Sequence, residues 1–272
     1  MKMKVKEAQR EVSRFGALYI VEARFKNMFK WRSAIITAAI LNPVLYLLSV
    51  GVGIGSLVNA KQGVGGVDGV QYLTFLAPAL LASAAIQGAI DEVTFPTLQG
   101  FKWAKNFFAM NSTPITGNQI ALGVYIAALC RTFLTVVVYW FILLIAGALP
   151  TGTAWLAMFV AMLAGGAFAS IMLFLTSKVE KEDFFLTAIG RLIIMPLFLF
   201  SGTFYPLSSM PLILQPIGWI SPLWHATELG RWLTYGSEIS TPMLFLHFIF
   251  LNSILIFGVI ASRRIFTKRL GK

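Results

Sequence analysis

The sequence predicts an all-α polytopic membrane protein, and two features of its composition carry this prediction. Hydrophobic residues make up 57% of the 272 residues and charged residues only 12%, whereas soluble domains carry about 25% charged residues. Several uncharged stretches also exceed the roughly 18 residues that mark a spanning helix. Little chain is left for a soluble domain, so residues 1–272 are predicted to form a single transmembrane domain with six transmembrane helices.

The predicted domain begins with an N-terminal interfacial helix. Residues 10–32 contain too many charges to span a membrane, but Phe15, Leu18, Phe25 and other apolar residues recur at spacings of roughly three and four. This periodicity predicts an amphipathic helix with its aromatic side chains in the acyl boundary and its cations at anionic headgroups. An ordinary soluble helix packed on a partner is the alternative.

Six uncharged runs predict the spans that follow. The first contains the glycine-rich sequence "GVGIG" at residues 51–55, and the fourth contains "AGGAFAS"; both favour close helix packing. A longer connection at residues 98–117 includes "FKWAKNFFAM", a candidate short helix. The predicted spans cover residues 33–56, 70–91, 119–148, 154–177, 184–204 and 241–262.

The distribution of cations orients these spans. Nine of the 22 basic residues precede Ser33 and five follow Ser262, and Lys and Arg residues preferentially remain in the cytoplasm. Both termini are therefore predicted to be cytoplasmic. Six spans then place 18 basic residues inside and two outside, with Arg131 and Arg191 in helices. A seventh span would put the basic C-terminal segment outside, so the orientation rule argues against it.

The segment before the last span is predicted to enter the membrane and return. Residues 192–224 contain no Asp, Glu, Lys or Arg but five prolines, which would break a single helix. Irregular backbone at membrane depth must be buried in protein or line a watery cavity. We therefore expect residues 205–238 to form a re-entrant helical hairpin between helices 5 and 6, with Ser221 as the cap of its second helix. Candidate residues of this outer cap are Pro206, His225, Glu228 and Arg231, the last two of which are spaced to pair at the outer surface.

Four charged residues lie near the cytoplasmic ends of the predicted spans. Charges inside spans cost about 2.5–3.5 kcal/mol on insertion scales and therefore face partners or cavities. One interpretation is a charge network that links a cytoplasmic loop to helix movement. The alternative is that the arginines extend to the interface. The four residues are Asp91, Glu92, Arg131 and Arg191.

Four aromatic residues cluster near the outer end of the fifth predicted span. One interpretation is that they line the path of an amphiphilic substrate. An aromatic belt at the membrane interface is an equally good alternative. These residues are Phe198, Phe200, Phe204 and Tyr205.

No residue pattern predicts catalysis or metal binding. The two histidines, His225 and His247, are too few for a metal site, and the single cysteine, Cys130, forms no intrachain disulfide. The sequence contains no G-x-x-x-x-G-K-[ST] phosphate loop and no G-x-S-x-G motif. We therefore expect no catalytic residues, no metal and no cofactor in this chain.

Several blocks of sequence resemble the bacterial ABC-2 type transporter permeases. "FLFSGTFYPLSSMP" (198–211) and "PLWHATELGR" (222–231) are similar to that family's signature before the last span. "NPVLYLLSVGVGIGSLV" (42–58) and "FFAMNSTPITGNQIALG" (107–123) resemble the branch that holds nodulation lipo-oligosaccharide exporters and daunorubicin-type drug exporters. Val124 departs from the pattern, which has an acidic residue at this position.

The resemblance implies a permease that works as a homodimer with a separate nucleotide-binding ATPase, which binds ATP and Mg²⁺. It implies that the interfacial helix and the 98–117 loop contact the ATPase, and that the re-entrant segment caps the path. The cargo would be amphiphilic and would move outward across the bacterial cytoplasmic membrane, with membrane lipid as a further partner. The implied coupling residues are Phe101, Lys102, Trp103, Lys105, Asn106, Phe107 and Phe108.

Other functional classes fit the sequence less well. An ion-coupled secondary transporter would need ionisable residues at mid-membrane and often shows an inverted repeat, and neither is present. A membrane-embedded enzyme or assembly factor would need clustered catalytic residues. Nucleic-acid binding is not predicted, because topology accounts for the net charge of +11.

Overall fold

The computed structural model describes residues 5–62, 66–180 and 188–271. Within these ranges the chain is helical and forms no β-strand. Wide π-helical segments follow two of the helices (Leu47–Ile54 and Gln99–Trp103) and precede a third (Gly190–Ile194). The α-helices are α1 (Val5–Phe29), α2 (Arg32–Tyr46), α3 (Gly55–Gln62), α4 (Tyr72–Leu98), α5 (Asn106–Asn111), α6 (Gly117–Ile145), α7 (Ala157–Lys178), α8 (Met195–Phe200), α9 (Gln215–Trp219), α10 (Pro222–Tyr235) and α11 (Thr241–Leu270).

Five helical segments in the described ranges are long and apolar enough to cross a membrane. They are Arg32–Ala60, Tyr72–Trp103, Gly117–Ile145, Ala154–Lys178 and Thr241–Leu270. A polytopic membrane protein is therefore what the structure supports, whereas the count of six spans stays a prediction.

The fifth predicted span, 184–204, is described only in part, because residues 184–187 lie outside the described ranges. Its apolar helix Gly190–Phe200 is shorter than a full span. The helix ends before residue 204 because Gly202 adopts a left-handed conformation with φ of 66°, a common helix stop. The Thr203 hydroxyl then donates to the Phe198 carbonyl (3.1 Å).

Two helices extend beyond the predicted ends of their spans. The second span was predicted to end at residue 91, but α4 continues to Leu98 because the Glu92 carboxylate pairs with arginines of neighbouring helices. The last span was predicted to end at residue 262, but α11 continues to Leu270. Its added turns bury Phe266 completely. Charged residues that pair with side chains of neighbouring helices therefore occur within α4 and α11 without ending them.

The core of the bundle is the contact of α4 with α7, and small residues allow it. A Cβ atom on Gly165 of α7 would lie 2.9 Å from the carbonyl oxygen of Ala85 in α4. On the other side of α7, a Cβ on Gly258 of α11 would lie 2.7 Å from the backbone carbon of Ser170. Such distances leave room only for glycine, as in small-residue packing of membrane helices.

Helix α1 packs along α6 through a narrow strip. Ile20 is buried against Gly123 of α6, and the side-chain amide of Gln119 donates to the Ser13 carbonyl (2.6 Å). Phe15 and Leu18, which belong to the predicted apolar face, are exposed. An exposed apolar face beside a packed strip is the arrangement that an interfacial helix requires.

Candidate functional site

A cavity of about 880 Å³ lies between α2, α4, α6 and α8. Along α4 its wall runs from Leu80 to Asp91, a distance of about 16 Å at 1.5 Å per residue. The wall is mainly apolar, with polar side chains of Asn42, Gln87 and Arg131 among the lining residues. Leu223 of α10 also lines the cavity. The cavity therefore combines charged side chains, Asp91 and Arg131, with a largely apolar wall, which suits an amphiphilic molecule.

Charged side chains from three helices meet beside this cavity. Glu92 of α4 pairs with Arg131 of α6, and its second carboxylate oxygen lies 3.6 Å from Nη2 of Arg24 in α1. All three side chains are largely buried. Burial lowers the pKa of the Arg24 guanidinium, and the Glu92 carboxylate acts in the opposite direction. This group, called the charged triad below, joins the interfacial helix to two spans.

The other two predicted network residues differ in their relation to the triad, because Asp91 lies within electrostatic range of Arg131 and Glu92 whereas Arg191 makes no contact with them. Asp91 accepts a hydrogen bond from the Gln87 amide (2.9 Å) and lines the cavity. Arg191 is exposed and forms no ion pair with a described residue, so its inclusion in one network with Glu92 is wrong for this chain. Arg24, which the sequence analysis did not select, takes its place.

The spacing of residues in α1 indicated that Arg24 faces the helix bundle. Gly16, Ile20 and Arg24 are four residues apart and form the face of α1 that packs on α6. The predicted interfacial helix rested instead on the aromatic and other apolar residues of α1. Arg24 continues the four-residue spacing of this packed face, whereas the solvated cations of α1 lie on its other faces. This spacing was visible in the sequence.

The outer segment is fixed by Arg231, which is 2% exposed. Its guanidinium donates to Glu228 (2.9 Å) and to the Gly202 carbonyl (2.7 Å), and it lies over the Phe75 ring of α4 at 3.8 Å. The predicted pairing of Glu228 and Arg231 is present, but its placement at the surface is wrong. Arg231 turns inward because the Gly202 carbonyl and the Phe75 ring satisfy it there.

The start of the second outer helix also differs in detail from the prediction. Helix α10 begins at Pro222, directly after Ser221. The Ser221 side chain does not cap the helix, because its hydroxyl is hydrogen-bonded to that of Ser201 (2.6 Å). Pro206 is half-buried and precedes a short 3-10 turn, Leu207–Ser209. These contacts join the end of α8 to the start of α10.

The two histidines form a buried pair between α10 and α11. The Nδ1 atoms of His225 and His247 are 2.7 Å apart, and Nε2 of His225 lies 2.9 Å from the Trp219 carbonyl. A carbonyl only accepts, so Nε2 of His225 carries a proton and its Nδ1 accepts from His247. The His225 ring also stacks on Phe250 at 4.0 Å. Burial lowers the pKa of His225 to about 4, which keeps it neutral.

The four aromatic candidates for the substrate path do not share one surface. Phe198 lines the cavity and contacts Phe204 edge-to-face, with ring centroids 5.6 Å apart. Phe200 packs instead on Leu207 and its neighbours in the outer segment. Tyr205 is exposed. The structure therefore brings only Phe198 and Phe204 to the cavity or its edge.

The predicted coupling residues divide into a buried and an exposed group. Phe101 and Phe107 are buried against Phe266 of α11, with ring centroids 4.8 and 5.5 Å from it. They cannot contact a partner, because they hold the segment to the bundle. Lys102 is half-buried at the end of α4. The exposed members are Trp103, Lys105, Asn106 and Phe108.

The apolar helices and the partly polar cavity among them define a polytopic helical membrane protein. Among the described residues, no group of three or more His, Cys, Asp or Glu is placed to hold a metal ion. The chain belongs to the ABC-2 type transporter family, whose sequence model matches residues 17–235. Members of this family are the membrane components of ABC transporters, in which ATP hydrolysis takes place on a separate nucleotide-binding subunit.

The curated relatives of this chain are similar over most of its length. It is 29% identical to Nodulation protein J of Rhizobium leguminosarum bv. viciae, over 80% of this chain and 83% of the relative. It is 28% identical to Nodulation protein J of Sinorhizobium fredii (strain NBRC 101917 / NGR234), over 76% of this chain and 77% of the relative. The identity to Nodulation protein J of Rhizobium meliloti (strain 1021) is 26%, over 79% and 80%.

Proposed function

We propose that this chain is the permease subunit of an ATP-driven exporter that moves an amphiphilic molecule outward across the bacterial cytoplasmic membrane. The observation that carries this proposal is the cavity of about 880 Å³, whose largely apolar wall also bears the charged side chains of Asp91 and Arg131. Its volume is in the range of sites for small molecules, about 300–1,000 Å³. A glycolipid, a lipid-linked saccharide or a hydrophobic drug has the matching distribution of polarity.

The wall of the cavity determines how such a molecule is held. Its polar head binds at Asp91, Gln87 and Asn42, where a carboxylate and two amides supply hydrogen-bond donors and acceptors. Its apolar part lies along α2 and α8 toward Phe198 and Leu223. The polar side chains thus select the orientation of the molecule, and the apolar wall contributes affinity by burying its chain.

Coupling to the ATPase uses the exposed part of the segment between α4 and α6. Trp103, Lys105, Asn106 and Phe108 form the proposed docking surface. Lys105 has a φ of 50° and makes the sharp turn that presents α5. Movement of α5 reaches the bundle through the buried rings of Phe101 and Phe107, and the charged triad transmits it to α1 and α6.

The proposed orientation places this docking surface and both termini in the cytoplasm. The Asn111 amide donates to the Leu270 carbonyl (2.9 Å), and Gln119 bonds Ser13. The α5 segment, α1 and the end of α11 therefore lie at one side of the bundle, where the cations also concentrate. The partner ATPase, carrying ATP and Mg²⁺, binds at this side, and a second copy of the chain completes a homodimer.

The cavity provides the decisive test. Ala84→Trp would fill it, because Ala84 lies in its wall. We expect ATP-dependent, vanadate-sensitive transport of a lipid-linked substrate into proteoliposomes to be abolished, while the chain still copurifies with its ATPase. The matched control is Leu134→Trp, which adds the same ring at an exposed position of α6 and should leave transport unchanged.

Two results would contradict the proposal. Full transport by the Ala84→Trp protein would show that the cargo passes elsewhere. Transport that is insensitive to vanadate and follows an ion gradient would assign the chain to the secondary transporters.

A further inference from the structure

A second cavity, of about 870 Å³, opens between the start of α6 and the last turns of α11. Three cations line it, Arg263, Arg264 and Lys268, and no carboxylate side chain of a described residue does. Arg263 is held in place because its Nε donates to Oδ1 of Asn118. Arg264 and Lys268 are exposed, lie one turn apart, and form no ion pair with a described residue. The cavity is thus a concentration of positive charge whose natural ligand is an anion.

The position of the cations along α11 sets their depth. No charged residue occurs in α11 from Thr241 to Ser262. These 22 residues extend about 33 Å, which matches the roughly 30 Å thickness of the hydrocarbon core. Arg263 and Arg264 therefore come at the level of the lipid headgroups. In the orientation proposed above, this is the inner leaflet.

The apolar side of the same cavity continues onto the lipid-facing surface of α11. Ile260 belongs to the wall and is 43% exposed. One turn further into the membrane, Ile256 and Phe257 are also exposed. A ligand in this cavity has cations at one end and an apolar helix surface at the other. An acidic protein surface would use the cations but would leave the apolar side uncovered.

We propose that this cavity is a binding site for the phosphate group of an anionic phospholipid. The planar guanidinium of Arg264 suits bidentate binding of phosphate, and Lys268 adds a second positive charge. The acyl chains lie along Ile260 and Phe257. Basic pockets at the cytoplasmic ends of spans are suited to such headgroups.

The bound lipid connects elements that meet only at this side of the bundle. Gln119 at the start of α6 holds α1 through Ser13, and α11 ends on the α5 segment through Asn111. A phospholipid between α6 and α11 therefore braces the region proposed to receive the ATPase. The site does not depend on the nature of the cargo, so it stands even if the transported molecule is not amphiphilic.

The test measures lipid binding by the full-length chain in nanodiscs of phosphatidylcholine with increasing phosphatidylglycerol, by native mass spectrometry and by thermal unfolding. The variant Arg264→Gln with Lys268→Gln should bind phosphatidylglycerol about 30-fold more weakly. This is about 2 kcal/mol, since each cation near an anionic surface contributes about 1 kcal/mol. The charge-matched control, Lys178→Gln with Arg191→Gln at exposed positions away from this cavity, should bind as the wild type does.

Each further measurement supports or overturns the site. Retention of binding by Arg264→Lys with Lys268→Arg would support it and would show that the fold is intact. An equal loss in the control with Lys178→Gln and Arg191→Gln would overturn it in favour of general surface charge. Equal stabilisation by inorganic phosphate would make the ligand a soluble anion. Unchanged lipid binding with lost ATPase copurification would make the cavity a protein docking surface instead.

Discussion

Helices α2 and α4 are both apolar enough to cross a membrane, yet they are packed very differently. In the most apolar 18-residue stretch of each span, 72% is buried for the α4 span but only 18% for the α2 span. Helix α4 contacts α6, α7 and α10, whereas α2 leaves Ile36, Ile40 and Leu45 exposed. Hydropathy therefore identifies a span, but close contact between helices depends on small residues.

The cavity lies between these two differently packed helices. Its wall is shared between the packed helix α4 and the open helix α2. A displacement of α2 changes the volume of the cavity without separating α4 from α7. The packed helices thus form a frame, and α2 is the more exposed wall of the cavity. The predictions below test the two sides of this contrast.

The largest expected effect comes from filling the α4–α7 contact. Gly165→Leu would force α7 away from Ala85, whose carbonyl oxygen already lies 2.9 Å from the site of a Cβ. We expect a loss of more than about 3 kcal/mol in the free energy of unfolding. Thermal unfolding in detergent measures it. A protein of wild-type stability would show that the frame is not fixed.

The next effect concerns the anchor between the outer segment and α4. Arg231→Met keeps much of the side-chain volume but removes the bonds to Glu228 and the Gly202 carbonyl. Because both acceptors lose a charged donor, we expect a loss of about 2–3 kcal/mol. Hydrogen exchange should increase around residues 201–210. Arg264→Met, at an exposed position of α11, is the control and should leave this exchange unchanged.

The buried pair of His225 and His247 predicts that the free energy of unfolding depends on pH. The fold favours neutral His225, since burial lowers its pKa to about 4 from an ordinary value of about 6.5. Between these values the unfolded chain binds a proton that the folded chain does not, so the free energy of unfolding falls as the pH falls. The expected loss at pH 5 relative to pH 8 is about 2 kcal/mol.

Thermal unfolding across this pH range checks the prediction. His225→Gln should reduce the slope, because its amide can still donate to the Trp219 carbonyl but does not titrate, while His247 remains as the other titratable member of the pair. The same slope in the variant would assign the pH dependence to other groups.

The smallest effect is expected on the open side. A Cβ on Gly53 would meet only the Leu48 carbonyl oxygen, at the ordinary distance of 3.6 Å. Gly53→Ala should therefore leave the free energy of unfolding unchanged or raise it by less than about 1 kcal/mol. A loss comparable to that of Gly165→Leu would remove the distinction between the two helices.

The sequence predicted most of the fold because hydropathy and charge are local properties. The uncharged runs located the five long apolar helices, and the prolines after residue 195 indicated the broken outer segment. Helices α4 and α11 continue beyond the predicted ends of their spans, and the sequence did not show this because a charge inside a helix can be satisfied by partners far along the chain. Arg24 and Arg131 are the partners of Glu92, and Asn118 is the partner of Arg263.

The candidate site was predicted less completely for the same reason. Glu92 and Arg131 were identified from their position in spans, and the structure brings them together. Arg24, Phe266 and Gly202 were missed, because each acts through a contact made by the tertiary fold. Phe101 and Phe107 were assigned to a partner surface, since an aromatic residue in a loop gives no sign of whether it faces inward.

The continuity of α4 with its π-helical extension has a mechanical consequence. The segment Tyr72–Trp103 contains 32 residues and is about 48 Å long. Its first residue holds the outer segment, because the Tyr72 hydroxyl donates to the Phe204 carbonyl (3.1 Å), and its last residue lies beside α5. Such a rod works as a lever, and a tilt of about 5° displaces one end by about 4 Å relative to the other. A small rotation imposed at Trp103 would thus be transmitted toward Phe204, and Pro78 and Pro96 within α4 are the positions where the helix bends most readily.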